Sequence, residues 1–486
     1  MNFNSFSYYL FLPLSVFLYF ILPAKWRNPA LLLLSYFFYM CWNPRYSLLI
    51  LTSTAITYAC ALLMEKHAAR RRLWLIASLA LNLLILFFFK YFNFAAALLN
   101  SGLAALELPA RLPAVSFLLP VGISFYTFQA LGYTMDVYRG NIVPEKNFID
   151  YALFVSFFPQ LVAGPIERST NLLPQFKPRH SFSLDKIFAG ALLFLWGLFK
   201  KLVIADRLAV LVNFAFAAAP GEANGWQYMA AASAFSIQIY CDFSAYSDIA
   251  RGSARMLGFE LMRNFDAPYL AASIKDFWRR WHISLSSWFR DYLYFPLGGS
   301  RCKAGRAYLN LLIIFVISGL WHGAALTFVL WGFLHGMFMI ISSLTAPWRD
   351  QFLKALRISS NSRIVAACRV LFNFALVTAA FVFFRAGSFS HALYMLKTIV
   401  LLPWAGLTHS GITLMGLPQR YLAVLLLAII GLFTVDALAR KRDLVQLVTR
   451  GVWPKYAVYF ALLALIFIFG YYGAAYDPQD FIYFRF

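Results

Sequence analysis

The sequence has 486 residues, of which 62% are hydrophobic and only 13% are charged, and its formal net charge is +22. Soluble domains carry about 45–50% apolar and about 25% charged residues, so this composition excludes a water-soluble fold and predicts that the excess apolar surface faces lipid. In a soluble chain such a charge would suggest nucleic acid as a partner. Cytoplasmic loops of membrane proteins collect Lys and Arg beside anionic headgroups, so we expect membrane lipids, and no nucleic acid, as partners.

Apolar segments follow one another along nearly the whole chain, and a helix needs about 20 apolar residues to span a bilayer. In chain order the candidate segments are 6–23, 29–64, 73–95, 114–135, 149–164, 187–205, 227–244, 307–320, 324–344, 366–384, 390–403, 421–437 and 456–475. We predict an all-α polytopic membrane protein with about 11–13 transmembrane and re-entrant helices. We treat residues 1–486 as one integral membrane domain.

Several of these segments are interrupted by residues that break helices. The interruptions are Asn43-Pro44-Arg45 in the second segment, Pro120 and Gly122 in 114–135, and Pro159 in 149–164. Non-helical backbone at membrane depth survives only where it is buried in protein or lines a cavity. The interruptions therefore predict re-entrant pieces around a central cavity.

Charge marks two further features of the chain. Basic runs are predicted to be cytoplasmic loops; they are Lys66 to Arg72, Lys200-Lys201, Arg301 to Arg306, Arg349 to Arg369 and Arg440 to Lys455. The block 245–306 is too polar to span a membrane, yet it is rich in aromatic residues and arginine. We predict that this block is amphipathic and partly re-entrant.

His322 is the first candidate for chemistry. Gly319 and Gly323 flank it inside the apolar run 307–346, where two segments can meet. Thirteen helical residues from Tyr308 to Leu320 would rise about 20 Å, less than the roughly 30 Å hydrocarbon core, which predicts His322 at membrane depth. An intramembrane histidine suits proton transfer. The alternative is a histidine hydrogen-bonded to a neighbouring helix.

His282 is the second candidate. If its surroundings form one helix, a single face carries Trp278, Trp281, His282, Leu285 and Phe289. The arginines then turn away from this face, towards headgroups, water or a phosphate; they are Arg279, Arg280 and Arg290. The alternative is an interfacial amphipathic helix whose histidine is merely packed.

The carboxylates Asp242 and Asp248 could cap the following helix, pair with those arginines or orient a histidine. We assign His335, within an apolar helix, to packing, and the other histidines to loops or interfaces: His67, His180, His391 and His409. The five cysteines show no CxxC or CxH spacing and predict no metal site. Without a GxSxG, HExxH or P-loop motif, a buried histidine suits base-assisted transfer from an activated acyl donor.

Five ordered motifs resemble those of the membrane-bound O-acyltransferase superfamily, in the bacterial branch of alginate and peptidoglycan O-acetylation membrane proteins. They are Leu119 to Gln129 (LPVGISFYTFQ), Phe158 to Ile166 (FPQLVAGPI), Tyr240 to Asp248, Phe277 to Ser286, and Ser318 to Gly323 (SGLWHG). They follow the family order over most of the chain, which makes the match specific.

The resemblance implies that His322 is the intramembrane catalytic histidine and that His282 is the supporting histidine of a WxxxWH-type motif. It implies a ring of helices around a central tunnel, with a catalytic core over 110–345 and C-terminal helices and tail over 366–486. Acyl groups would enter from the cytoplasm and acceptors from outside. We expect the site to be shaped by Trp278, Trp281, Trp321, Asp242 and Asp248.

The C-terminus, Asp480 to Phe486, resembles the end of a small partner peptide in lipoteichoic-acid D-alanylation, where a tyrosine is proposed to receive the acyl group. Tyr483 would then be an acyl relay. The alternative is an aromatic anchor at the membrane interface.

These observations lead to one hypothesis. An inner-membrane acyltransferase takes an acetyl group from cytoplasmic acetyl-CoA, with no bound cofactor or metal. It passes the group to a periplasmic SGNH-type esterase partner, which acetylates an extracytoplasmic polysaccharide of alginate, peptidoglycan or another type. The alternatives are D-alanyl transfer from a carrier protein and a transporter without chemistry, whose broken helices would look similar.

Overall fold

A computed structural model describes residues 1–116, 119–162, 164–360, 362–402, 415–472 and 481–482. Within these ranges every regular element is a helix. Contacts between Cα atoms divide the chain into two units, one of Met1–Phe194 with Ile249–Met262 and one of Leu195–Asp248 with Arg263–Phe486. The single domain over 1–486 stays a prediction.

The first unit contains the start of the chain. Its helices are α1 (Phe6–Ile21), α2 (Ala24–Met40), α3 (Ser47–Lys66), α4 (Arg71–Leu86), α5 (Phe92–Ala105), α6 (Ile123–Arg139), α7 (Phe148–Ser156), α8 (Phe158–Leu161), α9 (Ser169–Leu172) and most of α10 (Leu184–Phe199). A π-helical turn over Phe87–Tyr91 joins α4 to α5, so Ala68–Ala105 runs as one long apolar helix.

The predicted interruptions of this unit are confirmed. Asn43 accepts a hydrogen bond from the N–H of Arg45, and a 3₁₀ turn separates α2 from α3. Gly122 precedes α6 with φ +76°, and a Cβ there would lie 2.7 Å from the carbonyl oxygen of Leu161. Only glycine fits this backbone conformation and close approach. Pro159 follows the break between α7 and α8.

The second unit contains most of the remaining helices. A π-helical segment, Lys200–Ala205, continues α10 into α11 (Asp206–Ala217), and α12 (Gly225–Met256) follows. The short helices α13 (Ile274–Arg280) and α14 (Ile283–Phe289) precede the long ones. The rest are α15 (Ala304–His322), α16 (Leu326–Leu344), α17 (Ala346–Ala355), α18 (Arg363–Arg385), α19 (Phe389–Leu401), α20 (Gln419–Ala439), α21 (Leu444–Arg450) and α22 (Val452–Phe469).

Among the described residues, eight helices are long and apolar enough to cross a membrane, and this confirms the polytopic all-α prediction. They are Pro44–Lys66, Ala68–Ala105, Leu184–Ala217, Ala304–His322, Leu326–Leu344, Arg363–Arg385, Gln419–Ala439 and Val452–Phe469. Three shorter apolar helices, Phe6–Ile21, Phe148–Leu161 and Phe389–Leu401, bring the total to eleven. On α22 the side chains of Phe460, Phe467 and Ile468 are largely exposed, as lipid-facing residues are.

Three sequence expectations differ from the structure. The segments 114–135 and 227–244 became α6 and α12, neither of which is among the eight spans. The run Lys200-Lys201 is not a cytoplasmic loop, because both lysines lie buried inside the spanning helix Leu184–Ala217.

The polar block 245–306 begins as the last part of α12 and continues as short helices, in agreement with its broken pattern.

Candidate active site

His282 lies at a break between two short helices. Since α13 ends at Arg280 and α14 begins at Ile283, the residues around His282 do not form the single helix that was the condition for the predicted shared face. His282 has φ +46° and ψ 54°, in the left-handed region. A side chain there costs roughly 1–2 kcal/mol. The imidazole therefore sits in a backbone conformation that its neighbours must stabilise.

The residues around Asn264 stabilise this break. The carbonyl of Asn264 accepts from the N–H of Ile283 at 2.9 Å, and its side-chain oxygen accepts from the N–H of Ser284 at 3.2 Å. The N–H of Asp266 donates to the carbonyl of Arg280 at 3.0 Å. These bonds satisfy backbone groups that helix ends leave open. The break is therefore a fixed feature of the fold.

Burial around the break follows the sequence prediction with one exception. The residues expected on one face are all buried: Trp278, Trp281, His282, Leu285 and Phe289. Arg279 and Arg290 are exposed, as expected. Arg280 is only 7% exposed and pairs with Asp276 at 2.9 Å. Arg280 is therefore held by a carboxylate instead of being exposed as the other two arginines are, although it also lines an open cleft.

His322 ends α15, which packs tightly against α16. A Cβ on Gly319 would lie 2.2 Å from the carbonyl oxygen of Phe328, and one on Gly332 would lie 2.1 Å from that of Phe315. Small residues at such positions allow close approach between helices in membranes. The prediction that two segments meet at Gly319 and His322 is confirmed, and this hairpin fixes the position of the His322 side chain.

The length of α15 changes the argument about depth. The helix has 19 residues, which is about 28 Å at about 1.5 Å per residue. Because this approaches the roughly 30 Å hydrocarbon core, helix length alone no longer sets the depth of His322. The side chain is nevertheless buried, since the residue is only 3% exposed.

His282 and His322 meet in a cluster of aromatic rings. Their ring centroids are 6.2 Å apart. Trp321 contacts both histidines, at 5.7 Å from His282 and 5.0 Å from His322. Phe243 packs on His282 at 4.7 Å, and Trp331 packs on His322 at 5.0 Å. Two imidazoles far apart in the sequence therefore share one apolar environment.

A third histidine, His335, belongs to the same cluster. Trp278 donates its Nε1–H to Nδ1 of His335 at 3.3 Å. Because Nδ1 accepts, the proton of the neutral ring lies on Nε2. Trp331 contacts His335 at 4.9 Å, so one indole touches His322 and His335. Sequence analysis had assigned His335 to packing alone. The signal available was that a histidine in an apolar helix needs a polar partner.

Trp281 packs on a different set of rings. Its centroid distances are 5.1 Å to Phe265, 5.3 Å to Phe277 and 5.5 Å to Phe381. The two tryptophans of the motif thus differ in their contacts. Trp278 bonds to a histidine, whereas Trp281 anchors the broken segment in the core.

Asp242 and Asp248 each pair with a lysine of the preceding helical segment. Lys201 Nζ lies 2.7 Å from Asp242 Oδ1 and 2.9 Å from Asp206 Oδ1. Lys200 Nζ lies 2.7 Å from Asp248 Oδ2. Both aspartates lie inside α12, so neither caps a following helix. Buried charges of this kind persist only when they are paired.

Phe481 and Ile482 contact this charged group and the rings beside it. The N–H of Ile482 donates to Asp242 Oδ2 at 2.8 Å. The ring of Phe481 stacks on Tyr246 at 4.1 Å and contacts Phe243 at 5.9 Å. Phe243 in turn contacts His282. Tyr483, the predicted relay, lies outside the described residues.

The protonation state of His282 follows from its burial. Burial lowers the pKa of His282 to about 3, so the ring is neutral at physiological pH. A neutral imidazole accepts a proton, and a wall of aromatic rings limits the access of water. Within the part of the chain that the structure describes, no group of three or more His, Cys, Asp or Glu side chains could hold a metal ion.

Known proteins with this sequence pattern are membrane acyltransferases. Residues 144–385 match the model of the membrane-bound O-acyltransferase family, and this range includes all three clustered histidines. The chain is 38% identical over 431 residues to the probable alginate O-acetylase AlgI of Pseudomonas aeruginosa, covering 87% of this chain and 80% of that protein.

Two further relatives differ in what their names say they modify. The peptidoglycan O-acetyltransferase of Helicobacter pylori is 38% identical over 434 residues, with 82% of this chain and 80% of that protein covered. The teichoic acid D-alanyltransferase of Bacillus subtilis is 25% identical over 288 residues, with 57% of this chain and 70% of that protein covered.

Proposed function

The chain belongs to the membrane-bound O-acyltransferase family and is an O-acyltransferase of the inner membrane, and we propose that it moves an acetyl group from cytoplasmic acetyl-CoA across that membrane for O-acetylation of an extracytoplasmic polysaccharide. Two relatives at 38% identity are named for O-acetylation, one of alginate and one of peptidoglycan. The D-alanyltransferase relative is more distant, at 25% identity. Acetyl is therefore the favoured group.

One observation carries the catalytic part of the proposal. His282 and His322 come from segments 40 residues apart and meet with ring centroids 6.2 Å apart among aromatic rings. Burying two imidazoles in an apolar cluster is unfavourable for folding. A fold that keeps both side by side favours a chemical role over packing.

In the proposed step, His322 takes the proton of an acceptor hydroxyl. The resulting oxygen nucleophile attacks the thioester carbonyl, and the C–S bond breaks. The leaving thiolate receives the proton back from His322, so that the products are an O-ester and free CoA. His282 is a positioning residue, since its neutral ring keeps the cluster free of a second charge beside His322. The surrounding rings limit hydrolysis of the thioester.

Tyr483 is proposed as the first acceptor hydroxyl. The residue before it, Ile482, is tethered to Asp242, and Phe481 contacts Phe243, which contacts His282. These contacts bring the chain just before Tyr483 close to the histidines, and this supports a relay role. A periplasmic SGNH-type esterase partner would then move the acetyl group from the tyrosine ester to a sugar hydroxyl.

Radiolabelled acetyl-CoA tests the central claim with purified protein in detergent. We expect the wild type to release free CoA, through transfer or slow hydrolysis, and His322→Ala to lose at least 100-fold of this rate, since general-base removal typically costs about 10²–10⁴. His67→Ala, at an exposed histidine, is the matched control and should keep full activity. Retention of the rate by a folded His322→Ala protein would refute the assignment.

The relay has a separate test. We expect Tyr483→Phe to release CoA by hydrolysis but to carry no base-labile label, because the hydroxyl that would form the ester is gone. Label on the Tyr483→Phe protein at the wild-type level would exclude the relay. Transfer of D-alanyl from a carrier protein, with no reaction of acetyl-CoA, would identify the other acyl group.

A further inference from the structure

An arginine-lined cleft lies in the second unit, outside the histidine cluster. Its volume is about 420 Å³, and its walls are Arg263, Asp266, Arg279, Arg280, Ala439 and Arg440. This volume is at the lower end of the range for small-molecule sites, about 300–1,000 Å³. The cleft is large enough to hold a charged headgroup or a phosphorylated part of a larger molecule.

The charge of the cleft favours an anion. Four arginines line it. Arg263 pairs with Asp266 at 3.1 Å, while Arg279 and Arg280 both pair with Asp276, at 2.6 and 2.9 Å. Four positive and two negative charges leave a net charge of about +2 on this wall. Guanidinium groups in this arrangement bind phosphate through paired N–H donors.

Arg280 adds an observation that surface arginines would not. The residue is only 7% exposed, and its Nη1 has no hydrogen-bond partner among the described residues. Leaving a buried donor unsatisfied costs about 1–3 kcal/mol, and more for a charged group. The other two guanidinium nitrogens hold Asp276. Arg280 therefore adds a fixed, buried positive charge to a cleft whose other three arginines are exposed.

One wall of the cleft is continuous with the backbone at the His282 break. Arg280 is separated from His282 by one residue, and the carbonyl of Arg280 accepts from the N–H of Asp266. At the other wall, Ala439 is the last residue of α20 and Arg440 is its C-cap. That helix also carries Asp436, which accepts from the hydroxyl of Tyr240 at 2.8 Å. The wall formed by Asp266 and Arg280 and the break at His282 are thus parts of one hydrogen-bonded segment.

We propose that this cleft binds a phosphate group of the acyl donor, and so sets which thioesters the enzyme accepts. The inference rests on the proposed function, in which the donor is acetyl-CoA, a thioester that carries a diphosphate and a 3′-phosphate. The anionic end of the donor binds the arginines, and its uncharged pantetheine arm continues towards the histidines. Arg280 and Arg440 are donor-binding residues, and neither takes part in the bond-making step.

The test measures binding rather than turnover. Purified full-length protein in an uncharged detergent is titrated by equilibrium dialysis with CoA, 3′-dephospho-CoA and pantetheine. We expect affinity to fall in that order. Arg440→Gln and Arg279→Gln should each weaken CoA binding about tenfold, the effect of losing one charge-assisted contact. Both side chains are exposed, so neither change should unfold the protein.

Two controls separate this proposal from the proposed function. Arg290→Gln removes an exposed arginine outside the cleft and should bind CoA as the wild type does. His322→Ala should also bind CoA normally, even though it loses activity. If the wild-type protein binds CoA through the cleft but shows no acetyl transfer, the proposed His322 mechanism is wrong and the proposal that the cleft binds phosphate still holds.

Other outcomes overturn the cleft proposal. Equal binding of CoA and pantetheine, or wild-type CoA affinity in both cleft variants, would show that no donor phosphate binds there. A lipid phosphate is the other source of the same chemistry. If the cleft variants lose co-purifying anionic lipid while CoA binding is unchanged, the cleft is a headgroup site and the proposal is wrong.

Discussion

Replacing Lys201 with methionine should destabilise the protein more than the same change at the neighbouring Lys200. Lys201 Nζ lies between Asp206 and Asp242, at 2.9 and 2.7 Å. The three side chains are only 1–3% exposed. Methionine keeps the length of the side chain and removes its charge. The two carboxylates would then share a buried site without their common cation.

The expected magnitude follows from that geometry. Removing one partner of a buried ion pair costs about 3–5 kcal/mol, because the remaining charge stays buried without compensation. We expect Lys201→Met to reach this range, and Lys200→Met to cost roughly half as much. The partner of Lys200 is Asp248, whose side chain is 19% exposed and can recover solvation. The two neighbouring lysines therefore make a matched pair.

Unfolding by SDS in mixed micelles, followed by tryptophan fluorescence, measures the difference. The double variant Lys201→Met/Asp242→Asn should be more stable than the sum of the single changes predicts, because it removes one of the stranded charges. Equal unfolding midpoints for Lys201→Met and Lys200→Met would refute the reasoning. So would strict additivity in the double variant.

Three other predictions concern the histidine cluster and its scaffold. Burial lowers the pKa of His282 to about 3 from an ordinary value near 6.5, so the unfolded state takes up the proton first and stability falls as pH drops below about 6.5. His282 should contribute on the order of 2 kcal/mol to the loss of unfolding free energy between pH 7 and pH 5, and His282→Asn should remove that contribution; a slope as steep as that of the wild type would contradict the assignment. Gly332→Ala forces a Cβ against a backbone carbonyl and should cost about 1–3 kcal/mol by thermal unfolding, whereas Gly305→Ala, in open space, should be neutral or stabilising. Trp278→Phe removes the N–H that binds His335; we expect a loss of about 1–3 kcal/mol, and a thermal midpoint equal to the wild type would show that this bond contributes nothing.

Much of the fold could be predicted from local sequence rules. Proline and glycine at 43–45, 120–122 and 159 act on the backbone of their own neighbours, so the interruptions they cause are visible without a structure. His322 and His282 could be singled out for a similar reason. An ionisable side chain among apolar residues is unfavourable for folding, so its presence indicates a polar partner or a function.

What the sequence could not show depends on contacts between distant residues. Lys200-Lys201 resembled a loop because cytoplasmic loops collect lysine. The carboxylate that pairs with Lys201 in the interior, Asp242, is 41 residues away in the sequence. The break before His282 is stabilised by Asn264 from outside the helix. The bond between Trp278 and His335 spans 57 residues. No local pattern reports any of these pairings.

The left-handed backbone at His282 matters for how this position is probed by mutagenesis. Alanine would remove the imidazole and keep the steric penalty of a Cβ at positive φ, so its phenotype mixes two losses. Glycine removes the ring and relaxes the main chain, and asparagine tolerates the same dihedral angles while offering an amide. A substitution series through these three residues would separate what the turn demands from what the ring contributes.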